Sequence, residues 1–193
     1  LGRRAPTIKT CYQILRNIEN PRILELGTTR SFRNGSIDTE NYSPNPGDWD
    51  WGAGCFTVVM ALLLPGCKLT SVDPLASAIG VSRQMTEPLG VKVDYRLADS
   101  TTFLESTHER YDLIYMDHAE AGDSDACAIL HKNDAGIILS RNLLLNDGLI
   151  LIDDVRERFG KGMYSIPFLK QFGFSEISNT CYQTLLRRDD FFG

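Results

Sequence analysis

The sequence lacks a long apolar run and a block of charge of one sign. No apolar stretch approaches the roughly 20 residues that a membrane-spanning helix needs. The 193 residues carry a formal net charge of −5, without the basic surplus that nucleic-acid-binding proteins usually have. We therefore expect a soluble, cytoplasmic protein that binds neither a membrane nor a nucleic acid.

The sequence also lacks clustered cysteines. Its five cysteines are scattered, and no two of them have the C-x-x-C spacing. A disulfide framework or a zinc site would need cysteines close together in a recognisable pattern. We therefore expect buried, reduced thiols. The cysteines are Cys11, Cys55, Cys67, Cys127 and Cys181.

Short apolar segments alternate with segments of helical periodicity along the whole chain. Hydrophobic residues make up 42% and charged residues 23% of the sequence, which is typical of a folded globular chain. The predicted strands are 22–27, 68–73, 91–97, 111–116 and 149–152, with a hairpin of 174–178 and 181–186, and a long helix is predicted over 123–144. This order predicts an α/β fold: a single doubly wound, Rossmann-like domain over residues 1–193, with a mostly parallel seven-stranded sheet and a C-terminal antiparallel hairpin.

One segment, residues 30–51, interrupts this pattern because it is polar and has no period. A loop of this length inside a compact domain is usually functional or disordered. Trp49 and Trp51 would cover a ligand in one interpretation and pack the loop onto its own domain in the other. Gly52 and Gly54 would allow the backbone to approach a ligand closely.

Every predicted parallel strand carries an acidic residue at or just beyond its carboxyl end. Ligands of doubly wound sheets bind at the carboxyl ends of the strands, near the point where the strand order reverses. Each acid alone would serve as a turn or cap residue, but together they predict a hydroxyl-rich or cationic ligand, or a metal. The acids are Glu25, Asp73, Asp99, Asp117, Asp153 and Asp154.

The first strand-end loop is not the G-x-G-x-x-G loop that cradles a pyrophosphate. Gly27 is present, but Thr29 and Ser31 stand where later glycines would be, which argues against NAD or FAD. Asp73 ends the second strand, where a carboxylate accepts hydrogen bonds from ribose hydroxyls. The sequence therefore favours a nucleoside ligand without phosphate.

The segment Ile23-Leu24-Glu25-Leu26-Gly27-Thr28-Thr29 resembles the first motif of class I S-adenosylmethionine-dependent methyltransferases, in its small-molecule O-methyltransferase form. The resemblance extends over about residues 22–186. It implies that Glu25, Gly27 and Thr28 line the amino acid end of the cofactor and that Asp73 binds its ribose. It also implies that Asp99 and Ser100 flank the adenine.

Two further segments, Tyr111 to His118 (YDLIYMDH) and Leu149 to Val155 (LILIDDV), resemble the metal-dependent catechol-type O-methyltransferases. This resemblance implies that Asp117, Asp153 and Asp154 hold Mg²⁺, a hard cation that prefers carboxylate oxygens. Methyltransferases that use no metal also carry acids at some of these places. A magnesium site and a metal-free acidic edge therefore both stay open.

The general base departs from the catechol-type pattern. A lysine lies three residues beyond the first metal-binding aspartate in those enzymes, whereas this chain has Glu120 there. Glu120 or His118 would then be the base, and His118 would alternatively neighbour the adenine or simply pack. We assign no role to His108 and His131, which are predicted to lie away from the strand ends.

Together these features predict an S-adenosylmethionine-dependent methyltransferase that acts on a hydroxyl of a small molecule such as a sugar or a phenol. The alternative is a methyltransferase-like domain that binds a nucleoside or a partner without catalysis. A Mg²⁺-dependent hydrolase ranks last, because no nucleophile in a D-x-D-like loop is evident. The acceptor would be recognised by the 30–51 segment, by the 156–164 loop or by a second subunit, so an oligomer is compatible with the sequence.

Overall fold

The computed structural model describes residues 2–29, 55–120, 122, 124–156 and 159–189. The predicted 30–51 insert, with Trp49 and Trp51, and the two glycines Gly52 and Gly54 lie outside the described residues. None of the described helices is long and apolar enough to cross a membrane. The helices are α1 (Ala5–Leu15), α2 (Phe56–Leu63), α3 (Ala76–Thr86), α4 (Ser100–Ser106), α5 (Ala126–Ser140) and α6 (Gly162–Gln171). The strands are β1 (Arg22–Leu26), β2 (Lys68–Asp73), β3 (Val93–Leu97), β4 (Tyr111–Met116), β5 (Leu144–Ile152), β6 (Phe174–Asn179) and β7 (Thr184–Arg188).

The seven strands form one sheet in the order β3-β2-β1-β4-β5-β7-β6. The pairs among β1 to β5 are parallel, whereas β7 runs antiparallel to both β5 and β6. The predicted fold class is therefore confirmed, including the C-terminal antiparallel hairpin. The strand order reverses between β1 and β4, so the carboxyl ends of these two strands mark the expected ligand position.

Alternating side chains of the central strands build two apolar layers, one on each face of the sheet. In β4, Leu113 and Tyr115 pack with α1, α2 and α3, whereas Ile114 and Met116 pack with α4, α5 and α6. Burial on both faces explains why these strands are nearly continuous apolar runs in the sequence. The sheet edge that carries the acids is thus held rigidly between two helical layers.

The boundaries around β5 differ from the prediction. Helix α5 ends at Ser140 rather than at 144, and β5 begins at Leu144 rather than at 149. Tyr111 pairs with Leu144 and Leu113 with Leu149, so the intervening residues of β5 bulge out of the ladder. The Asp147-Gly148 pair, which predicts a turn before the strand, lies in this bulge, where Asp147 has a φ of 62°.

The final hairpin also has a longer turn than the predicted Asn179-Thr180 pair, because β7 begins at Thr184 rather than at 181. The hydroxyl of Thr180 accepts hydrogen bonds from the amides of Tyr182 and Gln183 and closes this turn. Cys181 lies in the turn and is exposed, so the expectation of a buried thiol is wrong for this residue. The other four cysteines are buried as predicted.

Candidate functional site

A cleft opens at the carboxyl edge of the sheet, where the strand order reverses. It lies between the ends of β1, β2, β4 and β5, the start of α1 and the loop before α6. Most of the strand-end residues singled out in the sequence contribute to it. The described residues that line it are Arg4, Gly27, Thr28, Asp73, Pro74, Leu75, Asp117, His118, Ala119, Asp153, Asp154 and Lys161.

Gly27 forms the sharp turn at the end of β1. Its φ is 86°, and a Cβ atom there would lie 2.8 Å from the carbonyl carbon and oxygen of Asp117 and from the amide nitrogen of His118. A side chain is therefore disfavoured both by the backbone conformation and by close approach to the neighbouring strand end. The bare backbone at this turn faces the cleft.

Glu25, the second-to-last residue of β1, is fully buried and is not among the described residues that line the cleft. Its Oε1 accepts a hydrogen bond from the Thr57 amide at 3.1 Å, and its Oε2 accepts from the hydroxyls of Thr57 and Ser71. Burial raises the pKa of Glu25 to about 8, although the bonds from Ser71 and Thr57 oppose this shift. In the described part of the chain, Glu25 ties β1 to α2 and β2 beneath the cleft, and its predicted contact with the cofactor stays a prediction.

Asp73 and Thr28 lie side by side in the cleft, at the ends of β2 and β1. The Oδ2 atom of Asp73 accepts a hydrogen bond from the Thr28 amide at 3.1 Å, and its Oδ1 accepts from the Leu75 amide at 2.8 Å. Two backbone donors therefore hold the carboxylate in one orientation at the mouth of the strand. A carboxylate oxygen has two lone pairs, so these two bonds are compatible with additional bonds from ribose hydroxyls.

Asp99 and Ser100 begin α4, but their side chains do not line the cleft. Asp99 is the N-cap of the helix and accepts from the Thr102 amide at 2.9 Å, a bond that holds the pKa of Asp99 below its usual range. The Ser100 hydroxyl donates to Asp134 of α5 at 2.7 Å. These contacts within the protein do not test whether Asp99 and Ser100 flank the adenine, so that assignment stays a prediction.

His118 belongs to a buried polar cluster beside the cleft. Its Nε2 lies 2.9 Å from Oδ2 of Asp134, and its ring stacks on that of His131 with centroids 4.0 Å apart. Nε2 of His131 lies within hydrogen-bond distance, 2.7 Å, of the carbonyl oxygen of His118. Burial and the neighbouring His118 ring lower the pKa of His131, which favours a neutral imidazole.

This cluster corrects one expectation from the sequence. His131 is not remote from the strand ends, because α5 brings it directly against the residue that follows Asp117. Glu120, the other predicted base, is exposed and is not among the described residues that line the cleft. Of the two predicted bases, only His118 lies in the cleft wall.

Asp117, Asp153 and Asp154 come together as predicted. One oxygen from each can be chosen so that all three lie within 4.8 Å of one another. The Asp153 side chain is 1% exposed, the Asp117 side chain 17% and the Asp154 side chain 29%. Three carboxylates this close and this buried require compensating positive charge.

Two side chains of the protein supply this charge. The Arg4 guanidinium pairs with Asp153 and reaches Asp154, and the Lys161 ammonium pairs with Asp117 and Asp154. Burial alone would lower the pKa of Lys161, but the adjacent Asp117 and Asp154 carboxylates outweigh it and raise that pKa. Burial raises the pKa of Asp117 to about 7; the Lys161 ammonium opposes this shift, whereas Asp153 and Asp154 add to it.

The three carboxylates therefore have the chemistry of a magnesium site, but their oxygens are already paired with basic side chains. Carboxylate oxygens are the right ligands for Mg²⁺. In the described structure, however, oxygens of all three carboxylates already accept hydrogen bonds from Arg4 or Lys161. A metal ion would have to displace a buried cation, so these residues as arranged do not fit Mg²⁺.

Arg4, Lys161 and Asp134 are absent from the sequence prediction. Lys161 lies inside the 156–164 loop, which the sequence offers as one candidate for recognising the acceptor without singling out this lysine. Arg4 lies directly before α1, and Asp134 lies within α5. None of the three follows a strand, so strand-end position, the signal that identifies the acids, cannot identify them.

One curated methyltransferase shares part of the sequence, and several solved methyltransferase structures share the fold. No protein-family model matches the chain. A release factor glutamine methyltransferase from Chlorobaculum tepidum is 30% identical over 100 residues, which are 50% of this chain and 33% of that protein. The match thus spans about a third of the length of this curated relative.

Two solved structures show the shared fold. The N-methyltransferase NodS from Bradyrhizobium japonicum, in complex with S-adenosyl-L-homocysteine, has a TM-score of 0.57 and 16% identity, covering 94% of this chain and 87% of that one. The O-methyltransferase TomG from Streptomyces achromogenes, in complex with S-adenosylmethionine, has a TM-score of 0.60 and 14% identity, covering 93% and 78%. The chain has the fold of the class I S-adenosylmethionine-dependent methyltransferases, as its strand-end motifs predict.

Proposed function

We propose that this chain is an S-adenosylmethionine-dependent methyltransferase. The observation that carries the proposal is the pairing of the Gly27 turn with the Asp73 carboxylate at the reversal point of the sheet. Thr28 donates its amide to Asp73 at 3.1 Å, so a bare backbone turn and an oriented acid face the same cleft. A nucleoside with an amino acid tail fits this combination, because the acid accepts from ribose hydroxyls and the turn admits the tail.

The remaining cleft residues support the same placement of the cofactor. Gly27 and Thr28 would hold its amino acid end, Asp73 its ribose, and His118 would border its adenine. Asp99 and Ser100, at the start of α4 and outside the cleft lining, would flank the adenine as the resemblance implies. The His118 ring is 6% exposed and lies in the cleft wall. When bound, S-adenosylmethionine supplies an electrophilic methyl group on a positively charged sulfur.

The acceptor we propose is a small molecule with a hydroxyl group, as in the O-methyltransferases that the motifs resemble. A hydroxyl must lose its proton as it gains the methyl group, so a base has to stand near the cleft. Of the two predicted bases only His118 lines the cleft, and both of its ring nitrogens are buried in the cluster with Asp134. The identity of the base therefore stays a prediction. The proposal includes neither a nucleic acid nor a membrane as a partner, and it is compatible with an oligomer.

No step of this proposal passes through a metal ion. Asp117, Asp153 and Asp154 were candidates for holding Mg²⁺, but each is paired with Arg4 or Lys161. Their role in the proposed reaction is to form a rigid, charge-compensated wall next to the acceptor position.

Calorimetric titration with S-adenosylhomocysteine tests the cofactor assignment directly. We expect saturable binding by the wild-type chain and weaker binding by Asp73→Ala. Failure to bind at millimolar concentration would refute the proposal. Transfer of a radiolabelled methyl group to members of a hydroxyl-acceptor panel then tests the reaction.

These two experiments, together with a phosphatase assay, separate the alternatives. Binding of S-adenosylhomocysteine without transfer to any acceptor would favour a catalytically inactive, nucleoside-binding domain. Phosphatase activity that requires Mg²⁺ and no added cofactor would favour a hydrolase.

A further inference from the structure

We propose that Arg4 and Lys161 together occupy the place of a divalent cation in the acidic cluster, so that this site works without a metal. The proposal concerns the charge chemistry of Asp117, Asp153 and Asp154. It rests on the proposed methyltransferase function only for its consequence in catalysis. The binding of metal itself can be tested without any assumption about the reaction.

Arg4 binds Asp153 through both oxygens of the carboxylate. Its Nε lies 2.9 Å from Oδ1 and 3.1 Å from Oδ2, and its Nη2 lies 2.9 Å from Oδ2. The same Nη2 donates to Oδ1 of Asp154 at 3.3 Å. Such bidentate guanidinium–carboxylate pairs are among the strongest hydrogen-bonded contacts in proteins. The side chain of Asp153 is 1% exposed, so a metal could reach it only by displacing Arg4.

Lys161 uses its full donor capacity on the other two acids. Its Nζ lies 2.5 Å from Oδ1 of Asp117, 3.0 Å from the Asp117 carbonyl oxygen and 3.1 Å from Oδ2 of Asp154. An ammonium group has three N–H donors, and here three oxygens surround it. The Lys161 side chain is 3% exposed, so this cation is built into the protein interior.

Arg4 is held in place by contacts that do not involve the acids. The Thr7 hydroxyl donates to the carbonyl oxygen of Arg4 at 2.8 Å and lies 2.5 Å from Oε1 of Gln183. The Arg4 guanidinium also lies over the Tyr182 ring, 5.2 Å from its centroid. The first turn of α1 and the β6–β7 turn thus orient the guanidinium toward β5, as a preorganised part of the fold.

The charge balance also favours the metal-free state. Three carboxylates with Arg4 and Lys161 leave a formal charge of −1, which attracts the positive sulfur of the proposed cofactor. A divalent cation that displaced both basic side chains would leave the same formal charge of −1, so Arg4 and Lys161 already supply the positive charge that the ion would bring. Removing the two basic side chains would instead leave −3 in a mostly buried site, which demands an external cation.

Manganese binding followed by electron paramagnetic resonance tests the proposal, because bound Mn²⁺ loses the sharp signal of the free ion. We expect no binding by the wild-type chain at micromolar Mn²⁺. The Arg4→Ala/Lys161→Ala variant should bind Mn²⁺ at least about tenfold more tightly, because it leaves three carboxylates without their positive partners. A tenfold gain is a small part of the attraction between such a cluster and a divalent cation. Adding Asp153→Asn to that variant should abolish the gain. Lys170→Ala is the matched control, because Lys170 lies in α6, away from the three acids, and pairs with the exposed Glu176.

Micromolar Mn²⁺ binding by the wild type that Asp153→Asn removes would overturn the proposal. This measurement needs no variant of Arg4 or Lys161, so it decides the question even if those variants do not fold. Loss of wild-type methyl transfer in a chelator, with recovery on added Mg²⁺, would overturn it as well. Failure to bind S-adenosylhomocysteine would refute the proposed function but would leave the manganese result intact.

Discussion

The Gly27 turn packs directly against the backbone of Asp117, so closely that a Cβ atom on Gly27 would lie 2.8 Å from the Asp117 carbonyl carbon. The Gly27 amide donates to Val72 of β2 at 2.8 Å, and the Asp117 amide donates to Leu26 of β1 at 2.9 Å. Gly27, whose turn faces the proposed cofactor, and Asp117, the first acid of the charged cluster, are therefore held together as one rigid unit. A change at Gly27 should disturb both.

We expect Gly27→Ala to lower the free energy of unfolding by about 1–3 kcal/mol and to weaken S-adenosylhomocysteine binding, because a strained φ and a backbone clash coincide. Gly90→Ala is the matched control, since Gly90 also has a positive φ, 68°, but nothing within 4 Å of its Cβ position. Urea denaturation and calorimetric titration measure the two effects. Equal stability losses in the two variants, with unchanged ligand binding, would show that the close approach is unimportant.

Asp73→Asn should weaken S-adenosylhomocysteine binding roughly tenfold or more, because charge-assisted hydrogen bonds contribute about 1.5–3 kcal/mol. The amide would still accept from one of the two backbone donors, Thr28 or Leu75, which limits the loss of stability. Asp94→Asn in the adjacent strand is a suitable control, because Asp94 is exposed and pairs with Arg96. A ligand affinity as high as that of the control variant would exclude Asp73 from the binding site.

Strand-end position predicts much of this site and explains where the prediction stops. Thr28, Asp73 and Asp117 are found from sequence because a parallel sheet brings all carboxyl ends to one edge. Glu25 also lies near this edge, but its side chain points into the layer beneath the cleft, toward Thr57. Alternation along a strand predicts which face a side chain takes, but not whether it reaches a ligand.

The partners of the strand-end acids are the part that sequence could not supply. Lys161 and Arg4 reach Asp117 and Asp153 across 44 and 149 positions of the chain. Such contacts depend on how a loop and an N-terminal turn fold over the sheet, and no local periodicity encodes them. The choice between a metal and a basic side chain as the counter-charge was therefore undecidable from the motifs alone.

The stability of the wild type should fall more steeply with rising pH than that of Glu25→Gln. The pKa of Glu25 is raised to about 8 from 4.5, so the folded state holds a proton that the unfolded state releases. The stability from this proton is complete below pH 4.5 and is lost as the pH rises through about 8, by up to about 1.4 kcal/mol per pH unit. Glutamine, like the protonated acid, carries no charge, and its side-chain oxygen still accepts from the Thr57 amide.

Urea denaturation of wild type and Glu25→Gln at intervals between pH 5 and pH 9 (on the order of one unit apart) measures this difference. The variant should lie close to the wild type at the acidic end and above it at the alkaline end. Parallel stability curves for the two proteins would mean that Glu25 is already ionised in the folded state at the acidic end.

Asp134→Asn should destabilise the protein by about 1–3 kcal/mol at neutral pH, since it disturbs a buried carboxylate that three side chains contact. Asp134 accepts from the hydroxyls of Ser100 and Thr101, both at 2.7 Å, and lies 2.9 Å from Nε2 of His118. Burial raises the pKa of Asp134, but His118, Ser100 and Thr101 outweigh this effect and lower it.

Because that pKa is lowered on folding, the contribution of Asp134 is present above the unfolded pKa, near 3.8, and is lost as the pH falls through the lower folded value. The stability difference between wild type and Asp134→Asn should therefore be constant at neutral pH and shrink in acid. Asp112→Asn is the control, because the half-buried Asp112 accepts from the Arg22 amide at the opposite edge of the sheet, away from the cleft. If Asp134 also positions His118 and Ser100 beside the adenine, its variant should weaken S-adenosylhomocysteine binding, whereas the Asp112 variant should not. Unchanged binding in both would confine Asp134 to a structural role.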